Sequence, residues 1–277
     1  MLPPETDLEV ISCLPEVDDG GRPVLFIHGA YCDAWCWSVN FLPWFARREH
    51  PAYALSLRGH GGSGGREVLL VTSIDDYVND VAHSLRMVSA EHGKPALLVG
   101  HSMGAAIVER LIDDRAHRPY WHKAALLAPV PPMGLLPSTA RLLALQPDFL
   151  WHVHQLTLGG REAGSLKALR DHYFTPEVPA ALLIELTRHL HPESPRAVMD
   201  LSLPFNIPLN GSRRVKPEEM LVIGGERDAI FTPQQVGQTA ARYGVDPIIV
   251  PRLPHMLMLE PGWEAVASAL HQKLGDD

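Results

Sequence analysis

The sequence predicts an α/β fold: a mostly parallel twisted sheet with helices on both faces and an inserted helical cap. Three observations lead there. Apolar runs of strand length alternate with longer segments that carry helix caps, the pattern of strands joined by crossover helices. Several of those runs are apolar at every position, as strands buried on both faces require. One stretch, residues 131–208, breaks the alternation with proline- and leucine-rich sequence and no strand-like run.

In chain order, residues 8–13 read as an edge strand and Asp18-Asp19-Gly20-Gly21 as a turn. Residues 23–27 and 52–57 read as buried parallel strands. A helix is expected over 73–90, with Thr72 or Ser73 as its cap, Asp75 and Asp76 at its positive end and Gly93 past its end. A strand over 96–99, a helix over 103–113 and a strand over 123–127 follow. Beyond the interruption come a strand over 220–223 and a helix opened by a capping box, with Thr232 as cap, Pro233 first inside and Gln235 three residues after the cap. Gly244 ends that helix. A strand over 247–250 and a helix over 263–274 close the chain. Within the interruption, helical stretches are expected over 138–145, 161–172, 179–189 and 195–201, with Thr175-Pro176 and Ser194-Pro195 as helix starts. The expected organisation is a core over 1–130, a helical cap over 131–208 and the rest of the core over 209–277. Such a cap would lie over the carboxyl edge of the sheet, where open α/β sheets form ligand crevices.

Composition narrows the function. The chain has 277 residues, 46% hydrophobic and 20% charged, with a net charge of −8. No basic stripe is present, which argues against a nucleic-acid partner. Arg47-Arg48 and Arg213-Arg214 read as solvated pairs. No apolar stretch approaches a membrane span, and the start of the chain lacks the basic and apolar regions of a secretory signal. Three cysteines, Cys13, Cys32 and Cys36, suit a reducing compartment, so a cytoplasmic location is expected. Cys32 and Cys36 could share a helix face, and His152 and His154 form an H-x-H. Neither pair has further ligands nearby, so no metal and no cofactor is expected.

The chemistry is concentrated in Gly100-His101-Ser102-Met103-Gly104. An apolar run leads into it and a helical segment leaves it, so Ser102 sits at the apex of a tight strand–turn–helix. Glycines at 100 and 104 are required where side chains would collide with strand and helix. The turn presents the hydroxyl and leaves the Met103 amide at a helix N-terminus, where partial positive charge gathers. Gly61-Gly62-Ser63-Gly64-Gly65 fits the same pattern, but lies in a glycine cluster without strand or helix and reads as a flexible loop.

A serine hydroxyl needs a general base, and the base needs an orienting acid. Asp228 follows strand 220–223, and His255 follows strand 247–250, in the order Ser, Asp, His. Glu226 is the competing acid. The Asp228 spacing past Gly224-Gly225 is favoured because it places the carboxylate beyond the turn. A second oxyanion donor is expected from Ala30, since His28-Gly29-Ala30-Tyr31 follows strand 23–27 directly. Ala30 and Met103 are thus the candidate oxyanion amides, and Tyr31 and Met256 the candidate substrate contacts. His101 is expected to orient the turn, and His60 to shape its loop.

The chain resembles the α/β-hydrolase superfamily through His28-Gly29-Ala30, Arg58-Gly59-His60-Gly61-Gly62-Ser63, the Ser102 elbow, Gly224-Gly225-Glu226-Arg227-Asp228 and Pro254-His255-Met256. Two stretches, His28-Gly29-Ala30-Tyr31 with Trp35 and Trp37, and the run from His255 to Pro261, are similar to the plant methylesterase and hydroxynitrile lyase group. In the lyases a lysine commonly follows the catalytic histidine. Here Met256 stands there, which favours ester hydrolysis. Ser102 also separates the chain from the dehalogenase and epoxide hydrolase branches, which use an aspartate nucleophile. The expectation is a serine hydrolase that cleaves small, apolar carboxylic esters through an acyl-enzyme. The alternatives are thioester, carbon–carbon or lyase chemistry on the same triad, or a ligand sensor with a slow triad.

Overall fold

The computed structural model describes residues 6–17, 20–145, 166–203 and 215–275. Seven strands form one sheet: β1 Val10–Cys13, β2 Val24–Ile27, β3 Ala52–Leu55, β4 Ala96–His101, β5 Trp121–Leu127, β6 Met220–Gly225 and β7 Ile248–Val250. Their order is β1-β3-β2-β4-β5-β6-β7. β1 pairs antiparallel with β3, and every other pair is parallel.

The apolar runs follow from burial on both faces. Successive side chains of a strand point to opposite faces, and β2 splits accordingly. Val24 and Phe26 enter one core with Trp37, Phe41 and Phe45; Leu25 and Ile27 enter the other with Tyr77, Val81 and Leu85. The first core is covered by α1 (Trp35–Ser38), α2 (Phe41–Ala46) and α10 (Trp263–Gly275). The second is covered by α3 (Ile74–His92), α4 (Met103–Asp113) and α9 (Pro233–Tyr243). The Phe26 ring stands 4.9 Å from that of Trp37 and 5.8 Å, edge-on, from that of Phe41. α1 and α2 escape a periodicity reading because α1 has four residues, α2 has six, and both are apolar on nearly every side.

The caps formed as expected. The Ser73 hydroxyl accepts from the Asp76 amide while the Asp76 carboxylate accepts from the Ser73 amide, and α3 ends at Gly93 with φ +61°. Thr232 and Gln235 form the same reciprocal pair at α9, which ends at Gly244 with φ +68°.

Between β5 and β6 the described residues form α5 (Leu136–Leu145), α6 (Leu166–Tyr173), α7 (Ala180–Leu186) and α8 (Pro195–Ser202). The Ser194 hydroxyl accepts from the Ala197 amide, so Ser194-Pro195 starts α8 as expected. Thr175-Pro176 does not start a helix. It opens a turn, because Glu260 captures both the hydroxyl and the amide of Thr175. The glycine cluster is also not loose. Ser63 is buried, donates to the Ser56 carbonyl at 2.6 Å and accepts from the Glu9 amide at 2.9 Å. His152, His154, Arg213, Arg214, the Asp18-Asp19 turn and the start of the 161–172 stretch lie outside the described residues. Among the described residues, no helix is long and apolar enough to cross a membrane, and no group of three or more His, Cys, Asp or Glu side chains is arranged to hold a metal ion.

Candidate active site

Ser102 joins β4 to α4 with φ +52° and ψ −116°, a conformation a side-chain-bearing residue holds only when its surroundings enforce it. The enforcement is visible. The Ser102 amide donates to the Leu127 carbonyl of β5 at 2.9 Å, and the Ser102 carbonyl accepts from the Ala105 amide at 3.0 Å. A Cβ on Gly100 would stand 2.4 Å from the Gly104 carbonyl oxygen, and one on Gly104 would stand 2.5 Å from that of His28. The two glycines let strand, turn and helix approach to van der Waals distance.

Asp228, in the turn after β6, is buried. Its Oδ1 accepts from the amides of Ile230 and Phe231 at 2.7 and 2.9 Å, which fixes the carboxylate plane. Its Oδ2 lies 2.8 Å from Nδ1 of His255. A carboxylate only accepts, so the Nδ1 proton is donated to it and Nε2 is left as the basic nitrogen of the neutral ring. The ring is held from the sides by Phe231, whose centroid is 5.5 Å away, and by His101 at 4.8 Å. Glu226 takes no part, since its carboxylate accepts from the Arg252 amide in an exposed contact. Of the two candidate acids, only Asp228 meets His255.

His101 lies behind the elbow, buried, with Nε2 3.0 Å from the His255 carbonyl. Nε2 donates there. Burial, reinforced by His255, pushes the His101 pKa well below its usual value, so the ring stays neutral and spaces the elbow from the histidine loop. His28 is similar: burial lowers its pKa to about 4, and its Nε2 accepts from the Leu57 amide at 3.0 Å.

Ser102, His255, Ala30, Tyr31, Met103 and Met256 line one cavity of about 180 Å³. Among the described residues, nothing accepts a hydrogen bond from the Ala30 or Met103 amide. Met103 opens α4, so its amide is one of the orphan donors of a helix start. Gly29 lets the Ala30 segment pass the elbow, since a Cβ there would meet His101 Nδ1 at 2.9 Å and Ser102 Cβ at 3.1 Å. The rest of the described wall is mostly apolar, interrupted by Ser138, Thr139 and Tyr173. Leu142, Leu169, Leu186 and Leu201 come from α5 to α8, and among the described residues no Asp, Glu, Lys or Arg side chain lines the cavity.

Several contributors were not read from the sequence. Tyr173 and Phe231 flank His255, and Arg141 of α5 donates to the carbonyls of Ala229 and Ile230, bracing the Asp228 turn. Glu193 was also missed. It is buried and touches Tyr31 from 162 positions away, a separation that carries no sequence signal.

A family model described as the Alpha/beta hydrolase family matches residues 24–269. A protein of Oryza sativa subsp. indica described as a probable esterase is 31% identical over 104 residues, which are 36% of this chain and 38% of that protein's length. Solved structures similar to the chain include a thermophilic esterase from Thermogutta terrifontis, at TM-score 0.73 and 17% identity over 99% of this chain and 95% of that one. The enol-lactonase from Burkholderia xenovorans gives a TM-score of 0.76 at 16% identity, over 98% and 97% of the two chains.

Proposed function

The chain belongs to the alpha/beta hydrolase family, and from that premise we propose that it is a serine hydrolase cleaving carboxylic esters through an acyl-enzyme. The observation that carries the reading is the 2.8 Å contact between Asp228 and His255 Nδ1, at a cavity that Ser102 lines from its strained elbow. His255 Nε2 takes the Ser102 proton as Oγ attacks the ester carbonyl. Asp228 holds the ring in the productive tautomer and stabilises the imidazolium. The amides of Ala30 and Met103 receive the oxyanion, and each such donor contributes roughly 2.7–4 kcal/mol of barrier lowering. His255 then protonates the leaving alkoxide. In the second half-reaction it activates water, which releases the acid and restores Ser102.

Substrate selection falls to residues 131–208, acting as a helical cap. The described wall of the cavity is mostly apolar and carries no Asp, Glu, Lys or Arg, which favours neutral, apolar acyl or alcohol groups, because burying an ion without a charged partner is costly. Tyr31 and Met256 contact the substrate beside the reacting carbonyl. Met256 in the place of a lyase lysine supports hydrolysis over cyanide release.

The test is labelling with a fluorophosphonate, followed by mass spectrometry and a series of nitrophenyl esters of rising chain length. Label on Ser102 and turnover of neutral esters are expected. A folded protein whose Ser102 stays unlabelled would overturn the hydrolase reading. Labelling without turnover of any ester would move it to thioester or carbon–carbon chemistry.

A further inference from the structure

A second set of buried polar side chains joins the loop that carries Ala30 to residues 189–194. The Glu193 carboxylate lies at its centre, with no exposure to solvent to speak of. Its Oε1 accepts from the Tyr77 hydroxyl at 2.6 Å and from the Ser194 amide at 2.7 Å. Its Oε2 lies 3.2 Å from Nε2 of the buried His60 and 3.4 Å from the Tyr31 amide. Burial opposes the charge on Glu193, but His60 together with the Tyr77 hydroxyl and the Ser194 amide outweighs it and holds the carboxyl below its ordinary range. Two residues earlier, the His191 amide donates to the Tyr31 carbonyl at 2.9 Å. The same segment also ties Asp33, whose Oδ2 lies 2.9 Å from both His189 Nδ1 and His191 Nε2.

The peptide groups on both sides of Tyr31 are therefore held by residues 191–193. They need holding, because Tyr31 has φ +67°. A residue with a large side chain in the left-handed region is strained and stays there only when its neighbours over-determine it. Released, Tyr31 would relax to negative φ. That rotation is about its own N–Cα bond, so it turns the Ala30–Tyr31 peptide and swings Ala30 with it. Tyr31 is the residue next to the amide assigned to the oxyanion.

We propose that Glu193 is a positioning residue for the oxyanion site: by holding the Tyr31 amide, against the supports of His60 and Tyr77, it aims the Ala30 N–H at the reacting carbonyl. The proposal rests on the serine hydrolase reading above. It assigns to residues 189–194 a part in transition-state stabilisation as well as in covering the cavity. Glu193 touches no substrate and acts only through the backbone of residues 30–31.

A thiono substitution separates this role from general support of the fold. Sulfur is larger than oxygen and a weaker hydrogen-bond acceptor, so a well-aimed oxyanion site prefers an ester to its thionoester. Loss of folded enzyme lowers both rates equally and leaves their ratio unchanged. Rates on a matched nitrophenyl ester and thionoester would be measured for wild type and Glu193→Gln, normalised to fluorophosphonate-titrated sites. The expected result is a kcat on the ester reduced about 10- to 100-fold with KM little changed, and an ester-to-thionoester ratio reduced about tenfold. Tyr77→Phe removes one support without touching the carboxylate. It carries the test if Glu193→Gln does not fold, with a smaller shift in the same direction. An unchanged ratio in a folded, titratable variant overturns the positioning role while leaving the hydrolase reading standing. A wild type that neither labels nor turns over either substrate overturns both.

Discussion

Replacing Gly104 by alanine tests the elbow where its geometry is most constrained. The added Cβ would stand 2.5 Å from the His28 carbonyl oxygen and 2.6 Å from that of Ile27. Both obstacles are backbone at the end of β2, so no side chain can rotate away. Reaching a tolerable separation of 3.0–3.4 Å requires α4 and the end of β2 to part by roughly 0.5–0.9 Å. Overpacking of this kind costs about 2–3 kcal/mol, which for a chain of this size lowers Tm by roughly 4–12 °C. The same displacement separates the Met103 amide, on α4, from the Ala30 amide, just past β2. A misplacement approaching 1 Å at a reacting centre costs about 100-fold in rate. Gly104→Ala should therefore lose about two decades of kcat/KM on a nitrophenyl ester, per titrated site, together with the drop in Tm. Differential scanning calorimetry and steady-state kinetics on one preparation give both numbers. Unchanged Tm and unchanged activity would show that the helix does not approach the strand this closely, and the argument for the elbow would fail with it.

Other expectations follow from the same geometry. Asp228→Asn keeps an acceptor for the Ile230 and Phe231 amides but presents a donor to His255. kcat should fall by about 10⁴ while Tm stays nearly constant, because the ring is held in the wrong tautomer; a loss under tenfold would remove Asp228 from the mechanism. Glu109 of α4 is buried against Arg242 and Tyr243 of α9, and burial raises its pKa to about 7. The folded state thus holds this proton more tightly than the unfolded chain, so the contribution is fully present below pH ~4.5 and is lost as pH rises through ~7. The loss is on the order of 3 kcal/mol. The stability difference between wild type and Glu109→Gln, followed by urea unfolding from pH 4.5 to 8, should shift in favour of the variant across that window; a flat difference would refute the assignment. Burial pushes the Cys32 thiol up to about 12. Native Cys32 should resist iodoacetamide at pH 8 and react only after unfolding, and rapid native alkylation seen by peptide mapping would contradict that burial.

Strands β2, β3, β4 and β6 were legible because burial on both faces leaves an unbroken apolar run, and the capped helices because Ser73, Thr232 and Ser194 sit outside the first turn they cap. Ser102 could be chosen over Ser63 from local context alone, since strand and helix flank only the first. Sequence narrowed the acid to two and favoured Asp228 by its spacing past Gly224-Gly225. Glu226 and Asp228 share one turn, and distance to His255 separates them only once β6 and β7 are paired. Thr175-Pro176 misled because a helix-start pattern says nothing about Glu260, 85 positions away, which takes the hydroxyl for itself.

The sequence by itself determined the parallel α/β plan and marked the tight turn at Ser102, because strand runs, helix caps and the turn are patterns within a few positions of one another. Tertiary structure alone decided which carboxylate faces His255, which side chains close the cavity, and that Glu193 holds the Tyr31 peptide. Those contacts join segments between 27 and 162 positions apart. Their partners are brought together by sheet pairing and core burial, which act on the whole chain and leave no local pattern at either end.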